Sequence, residues 1–431
     1  MKKLVKMLTA VLLVTLIALP LFAGGKQEKQ TAPASVETAS KKEVQIRIMG
    51  YGGQDPAVVV RLLDEVIGEG LEKEGIKLSY EPLEGDYNAA LFNALSAGTA
   101  ADIFYIPVET APGIIATGKV LPLNGLVDTS PFIDSLVEAY TFNGKIYGIA
   151  KDFNTLALHY NKDLFDKAGV AYPDENDNWD TLREKIGKLA GIGDNIYGIS
   201  LPADYARFGA FAFAAGWKPF DEKGNTNLLD PKFKTAVEYY TGMVREGIAV
   251  QPSDLGQGWT GGAFATEQVG IAVEGAWILG FLRNEAPNIQ YGTTFMPVGP
   301  SGERGNFLYT VAYGINTDSP NREAAVKVLE ALTSEEAQQF VLEQGLAIPS
   351  RKALVDNPFL KKGTPEAEAN RVVFEGSRMG FVYGYQFGKV GTDWFRPINS
   401  ALATIMTGEK DIDTALKQAQ SEIEALIERA K

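Results

Sequence analysis

From Val44 to the end of the chain, short runs that alternate apolar and polar residues take turns with longer runs whose apolar residues recur every three or four positions. The first pattern buries one face only as a strand and the second only as a helix, so their order dictates an α/β architecture rich in parallel strands. Val44, Ile46 and Ile48 alternate as a first strand that ends in Tyr51-Gly52-Gly53-Gln54. Val59, Leu62, Leu63 and Val66 then share one stripe of a helix expected over 56–67. Ile76, Leu78 and Tyr80 alternate again, Tyr87–Ala97 reads as a helix stopped by Gly98, and Asp102–Ile106 as a buried strand. Asp230-Pro231 opens a helix that closes at Gly247, and Ser319-Pro320 opens another. Thr333 and Glu336 have the spacing of a capping box before a helix closing at Gly345. Ile412, Leu416, Ala419, Ile423 and Leu426 form the stripe of the last helix, and no internal repeat is found.

The residues before Val44 have a different grammar. Lys2, Lys3 and Lys6 precede an uncharged run from Met7 to Ala23, broken by Pro20 and followed by Gly24-Gly25. That is the order of a secretory signal, expected to occupy residues 1–23. The competing reading is an uncleaved anchor, for which the run is short and contains a proline. Residues 24–43 carry no apolar period and are expected to be a flexible tether. The protein is therefore expected in the periplasm or outside the cell, without a lipid on cysteine, since the chain has none.

Composition narrows the chemistry. With 41 basic against 54 acidic residues the net charge is −13, which opposes nucleic-acid binding because phosphate neutralisation needs a basic face. No cysteine and a single histidine, His159, leave no thiolate, no Cys-ligated zinc and no ready Ser-His pair. No metal or cofactor is expected.

Several apparent motifs fail on their context. Gly113–Lys119 has phosphate-loop spacing, but Val120 stands where a hydroxyl is needed and Leu121-Pro122 follows instead of a helix. Gly256–Gly261 matches a dinucleotide fingerprint, but Gln251–Asp254 before it is no strand. The acidic and amide residues from Asp174 to Asp180 alternate like a calcium loop, yet Trp179 replaces the turn glycine and Lys185 the bidentate glutamate. A cap at Asn178 for a helix over 179–189 is the better reading. Tyr239-Tyr240 lie in mid-helix, and His159 sits in an apolar run as a neutral structural residue.

Aromatic residues remain. Trp217, Trp259, Trp277 and Trp394 fall beside Gly or Pro or outside the helical stripes. Glu274 stands near Trp277, Asp393 and Arg396 around Trp394, and Gln257 near Trp259. A sugar presents C–H faces that pack on flat rings and a rim of hydroxyls that needs fixed donors and acceptors. Each Trp read singly is as well explained as core.

At this point the residues carry a resemblance. Thr141–Phe165 (TFNGKIYGIAKDFNTLALHYNKDLF), Ser96–Phe104 (SAGTAADIF), Gln268–Trp277 (QVGIAVEGAW), Thr310–Asn316 (TVAYGIN) and Thr333–Gln339 (TSEEAQQ) resemble, in order and spacing, the bacterial extracellular solute-binding proteins of carbohydrate ABC importers. These are the maltose-binding-protein-like family. Many relatives carry a lipobox cysteine where this chain has Gly24-Gly25.

The resemblance implies a two-lobed periplasmic-binding-protein-like fold with three inter-lobe crossings, expected near Asp152–Thr155, Phe295–Val298 and Ala347–Ser350. Lobe 1 would be 44–152 plus 298–348, and lobe 2 would be 153–297 plus 349–431. A mono- or oligosaccharide would lie in the cleft and be delivered to an inner-membrane ABC permease by a monomer that is not an enzyme. On that geometry the first strand delivers Tyr51, Gly53 and Gln54, and the third strand delivers Glu109. Asp102, at a strand start, is structural. The crossing supplies Asp152 and Asn154, and Tyr309 enters from lobe 1. Lobe 2 supplies Tyr205, Arg207, Trp259, Glu274, Trp277, Trp394 and Arg396, with Trp277 at the family's stacking position. The rivals are a binding protein for another solute and an exported glycoside hydrolase working with two carboxylates.

Overall fold

The computed structural model describes residues 43–430 apart from Gln54. The expected signal segment, the tether to residue 42 and Gln54 lie outside the described residues.

Among the described residues fourteen strands follow in chain order: β1 (Val44–Tyr51), β2 (Ile76–Leu83), β3 (Ile103–Pro107), β4 (Thr141–Phe142), β5 (Lys145–Ile146), β6 (Ile149–Asn154), β7 (Ala157–Asn161), β8 (Ile199–Ser200), β9 (Ala249–Val250), β10 (Ile271–Glu274), β11 (Tyr291–Thr294), β12 (Gly305–Ile315), β13 (Ile348–Pro349) and β14 (Phe381–Gly384). The first large sheet runs β13-β6-β12-β3-β1-β2, and β14 pairs with β12 off that path; the second runs β11-β7-β10-β8-β9. β4 and β5 form a small hairpin. In β1 the alternation has its expected effect. Ile46 and Ile48 are fully buried, while Arg47 on the other face reaches Glu81 of β2 at 2.6 Å.

Punctuation in the sequence sets most helix ends. Asp86 accepts a bond from Ala89 N at 3.1 Å and Gly98 ends the helix Tyr87–Ala97 at φ 69°. That left-handed conformation favours glycine. Asn178 caps Trp179–Ala190 in a full capping box with Thr181. Asp230 caps Pro231–Arg245, and Ala111–Ala116 is a short helix with Gly118 beyond it. Two expectations shift. The first helix does not stop at Ile67 but widens into a π-turn over Leu62–Ile67 and continues to Glu72. The cap expected at Thr333 belongs to Ser334, whose hydroxyl accepts from Ala337 N at 3.1 Å. Thr333 instead donates to Leu329 O at 2.8 Å and finishes the preceding helix.

Asp102 is structural, as expected: its carboxylate accepts from Arg47 N at 3.0 Å and from the Ser319 hydroxyl at 2.6 Å. His159 is fully buried between Thr293 Oγ1 and Glu274 O. Burial pulls its pKa down to about 4, so it is neutral.

Three passages join the sheets. β6 of the first sheet runs into β7 of the second with only Thr155 and Leu156 between them. The second passage comes later than expected. Past Phe295–Val298 the chain stays with the second sheet's layer, because Gly299 and Gly305 press against the backbone of the helix Tyr205–Ala214. Added Cβ atoms would meet Ala214 O at 2.3 Å and Ala210 O at 2.0 Å. The first four residues of β12 pair with β14, and Tyr309 onward pairs with β6 and β3, so the passage falls inside one strand. The third passage also lies beyond Ala347–Ser350. Arg351 still bridges to Phe132 and Lys352 reaches Asp134 at 2.8 Å, whereas the helix Pro365–Gly376 packs on β7 and β11.

Candidate functional site

A cavity of about 270 Å³ opens beside the first passage and the middle of β12. Its register is set by two adjacent strands: Asn154 lies opposite Tyr309, and Asp152 opposite Val311. All four line it. Tyr51 comes from the end of β1, Glu109 from just past β3, Trp277 from just past β10, and Tyr385 from just past β14.

Six of the residues expected from sequence therefore meet here: Tyr51, Glu109, Asp152, Asn154, Trp277 and Tyr309. Sequence reasoning missed Asp55, Lys151 and Tyr385. For Lys151 the reason is a local irregularity. β6 pairs Asp152 with Val311 and Ala150 with Ala312, so Lys151 is the extra residue of a bulge. A bulge re-aims a side chain that strict alternation would send to the far face. Lys151 Nζ ion-pairs with Asp152, lies 3.9 Å from Asp55 Oδ2 and sits 5.0 Å from the Tyr105 ring centre. Burial acts to lower the Lys151 pKa, but Asp152 and Asp55 carry it above the ordinary lysine value. Burial pushes the carboxyls of Asp55 and Asp152 upward against the pull of Lys151. Burial also pushes Glu109 up to about 7.

Behind Trp277 stands a support layer. Glu274 is fully buried, and its Oε2 accepts from Trp277 Nε1 at 2.7 Å and from Arg207 Nη2 at 2.6 Å. Arg207 also donates to Val273 O at 3.1 Å and lies over the Trp277 ring at 5.6 Å. Gly275 leaves room for that ring, because a Cβ there would stand 2.4 Å from it. With its N–H bonded to Glu274, Trp277 offers the cavity ring surface alone. Asn154 Oδ1 accepts from Ala276 N at 2.9 Å, which ties the first passage to the Trp277 turn and leaves its amide N–H groups as donors. Tyr309 stands edge-on to Trp277 at 5.6 Å and its hydroxyl donates to Ala206 O.

The remaining candidates are placed elsewhere. Arg207 and Glu274 reach the cavity only through Trp277. Trp394 is fully buried in the core, stacked on Phe387 at 5.4 Å and edge-on to Tyr205 at 5.2 Å. Tyr205 is likewise buried. Arg396 is exposed and pairs with Asp393 at 3.0 Å on the outer side of that turn. Trp259 packs edge-on to Phe281 at 4.9 Å, half-buried and away from the cavity wall. Gln54 lies outside the described residues. Among the described residues no group of three His, Cys, Asp or Glu side chains is placed to hold a metal ion. None of their helices is long and apolar enough to cross a membrane.

What the cavity can do follows from its groups. Carboxylates accept hydroxyl hydrogens, an amide donates, and a ring packs a C–H face. Comparison with known proteins agrees with such a role. The family described as bacterial extracellular solute-binding protein matches residues 57–339. A putative binding protein of Brucella abortus is 27% identical over 375 residues, 83% of this chain and 87% of that protein. The galactooligosaccharide-binding protein of Bacillus subtilis is 26% identical over 342 residues, covering 75% and 76%. Among solved structures, an ABC substrate-binding protein of Listeria monocytogenes in complex with cycloalternan superposes with a TM-score of 0.79. It is 23% identical and covers 90% of this chain and 99% of its own, which shows a shared two-lobed fold.

Proposed function

The chain belongs to the bacterial extracellular solute-binding protein family, whose members bind solutes rather than transform them, and from that premise we propose that it captures a sugar in this cavity and hands it to an ABC permease. One observation carries the reading. A tryptophan ring with its N–H already bonded faces a strand pair that offers Asp152 and Asn154. That pairing of a bare ring with fixed polar groups suits the two faces of a saccharide. The named sugar ligands of the relatives support the same choice. Binding without turnover is supported by the family, whose members are binding proteins.

Two lobes built on the two sheets would close over the ligand, with Thr155–Leu156 and the middle of β12 as hinges. We assign the protein a periplasmic or extracellular location and a monomeric state. The test is a thermal-shift panel of mono- and oligosaccharides, amino acids and divalent metals. A sugar at a hundred times its Kd should stabilise the protein by about 2.7 kcal/mol. A panel in which amino acids or metals shift the melting temperature and no sugar does would remove the reading.

A further inference from the structure

The cavity's charges do not balance. Asp55, Asp152 and Glu109 bring three carboxyl groups to its wall, and among the described residues Lys151 is the one cationic side chain there. That ammonium is already taken up by Asp152 and is 3.9 Å from Asp55 Oδ2, beyond hydrogen-bond reach. Asp55 is only 9% exposed, and its Oδ2 has no hydrogen-bond partner. Glu109 stands on the same wall, and burial is what chiefly raises its pKa. The nearby Arg207 brings no spare positive charge, because it is bonded to Glu274 behind the Trp277 ring.

Buried carboxylates without a counter-charge are costly, and a ligand that supplies the charge removes the cost. A neutral hydroxyl can donate to them, but a hydrogen bond from a cation is roughly twice as strong. The aromatic faces work in the same direction. Tyr51, Trp277, Tyr309 and Tyr385 surround the cavity, and ring faces attract cations as well as C–H groups. The volume of about 270 Å³ lies just below the roughly 300–1,000 Å³ of pockets that take drug-sized molecules, which suits a small ligand.

We propose that the preferred ligand is a sugar bearing a protonated amine, a hexosamine in place of a neutral hexose, with its ammonium received at the acidic wall by the carboxyl group of Asp55 or of Glu109. This rests on the sugar-binding reading above and adds a charge to it. The substrate class follows from the unpartnered Asp55 oxygen and the Glu109 carboxyl on the same wall.

Isothermal titration at neutral pH would compare the 2-amino forms of glucose, galactose and mannose with their parent sugars and N-acetyl derivatives, with putrescine as a sugar-free amine. At least one amino sugar should bind ten-fold or more tightly than both its parent and its N-acetyl form. In Glu109→Gln or in Asp55→Asn, whichever removes the receiving carboxyl, that preference should shrink toward unity, with far-ultraviolet circular dichroism confirming that each variant is folded. Parent or N-acetyl sugars binding as tightly as the amino forms would overturn the proposal and leave the sugar reading in place. Putrescine binding with no sugar of any kind would overturn both. A preference that persists undiminished in both variants would overturn the assignment to these two carboxyls.

Discussion

At the scale of single residues, Trp277 and Trp394 separate ligand surface from core. Trp277 lies on the cavity wall with its indole nitrogen bonded to Glu274, whereas Trp394 is enclosed by Phe387, Tyr205 and Phe220. Trp277→Ala should therefore weaken sugar binding by ten- to a hundred-fold, about 1.4–2.8 kcal/mol, while lowering the denaturation midpoint less than Trp394→Ala does. Trp394→Ala should do the reverse, costing about 3–5 kcal/mol of stability. Calorimetric titration and urea melts of both variants check the order, and exchanged results would mean that wall and core have been confused. Glu109 makes a second prediction, in pH. Burial raises its pKa from 4.5 to about 7, so between those values the folded state holds a proton that the unfolded state has released. The empty protein then loses stability as pH climbs from about 4.5 to about 7, and gains none of it back above. Glu109→Gln should flatten that slope and be the more stable form at pH 8. Urea melts across pH 5 to 8 give the comparison, and parallel curves for the two proteins would contradict it.

At the scale of elements, what was legible followed local rules. Caps at Asn178 and Asp230 and left-handed glycines at 98 and 247 mark helix ends by chemistry that needs no tertiary context. The alternation in β1 was equally readable, since one face of a strand must be buried. The misses needed the partner strand. No pattern in β6 alone reveals that Lys151 is bulged, because the bulge exists only relative to Val311 and Ala312. Glu109, just past the third strand, lines the cavity, whereas Trp394 misled through its neighbours. Asp393 and Arg396 look like a polar site in sequence, but they pair with each other outside the turn while the indole points inward. The aromatic density of Phe387 and Phe395 around it was the signal for core. The later passages were misjudged for a related reason. What holds residues 299–305 to the second layer is close glycine contact with the helix Tyr205–Ala214, which only the packed structure displays.

At the scale of the whole molecule, three passages between two sheets restrict relative motion to a bend. A ligand held by Asp152 on one side and Trp277 on the other favours the closed form by no more than its extra contacts there. The absence of native cysteine makes the motion measurable, because introduced thiols are the only labels. Glu84, following the carboxyl end of β2, and Asp254, following that of β9, are both exposed. Spin labels on Glu84→Cys and Asp254→Cys should move closer in step with saturation by sugar. An unchanged separation would mean that the ligand rests on one wall alone. The shared strand has a further effect, on how the chain is made. β3 and β6 are never neighbours, because β12 stands between them and reaches from residue 305 to 315. Nearly three quarters of the polypeptide must leave the ribosome before the first sheet can join its halves. Such late closure delays folding, and a chain that is slow to become compact stays threadable for longer.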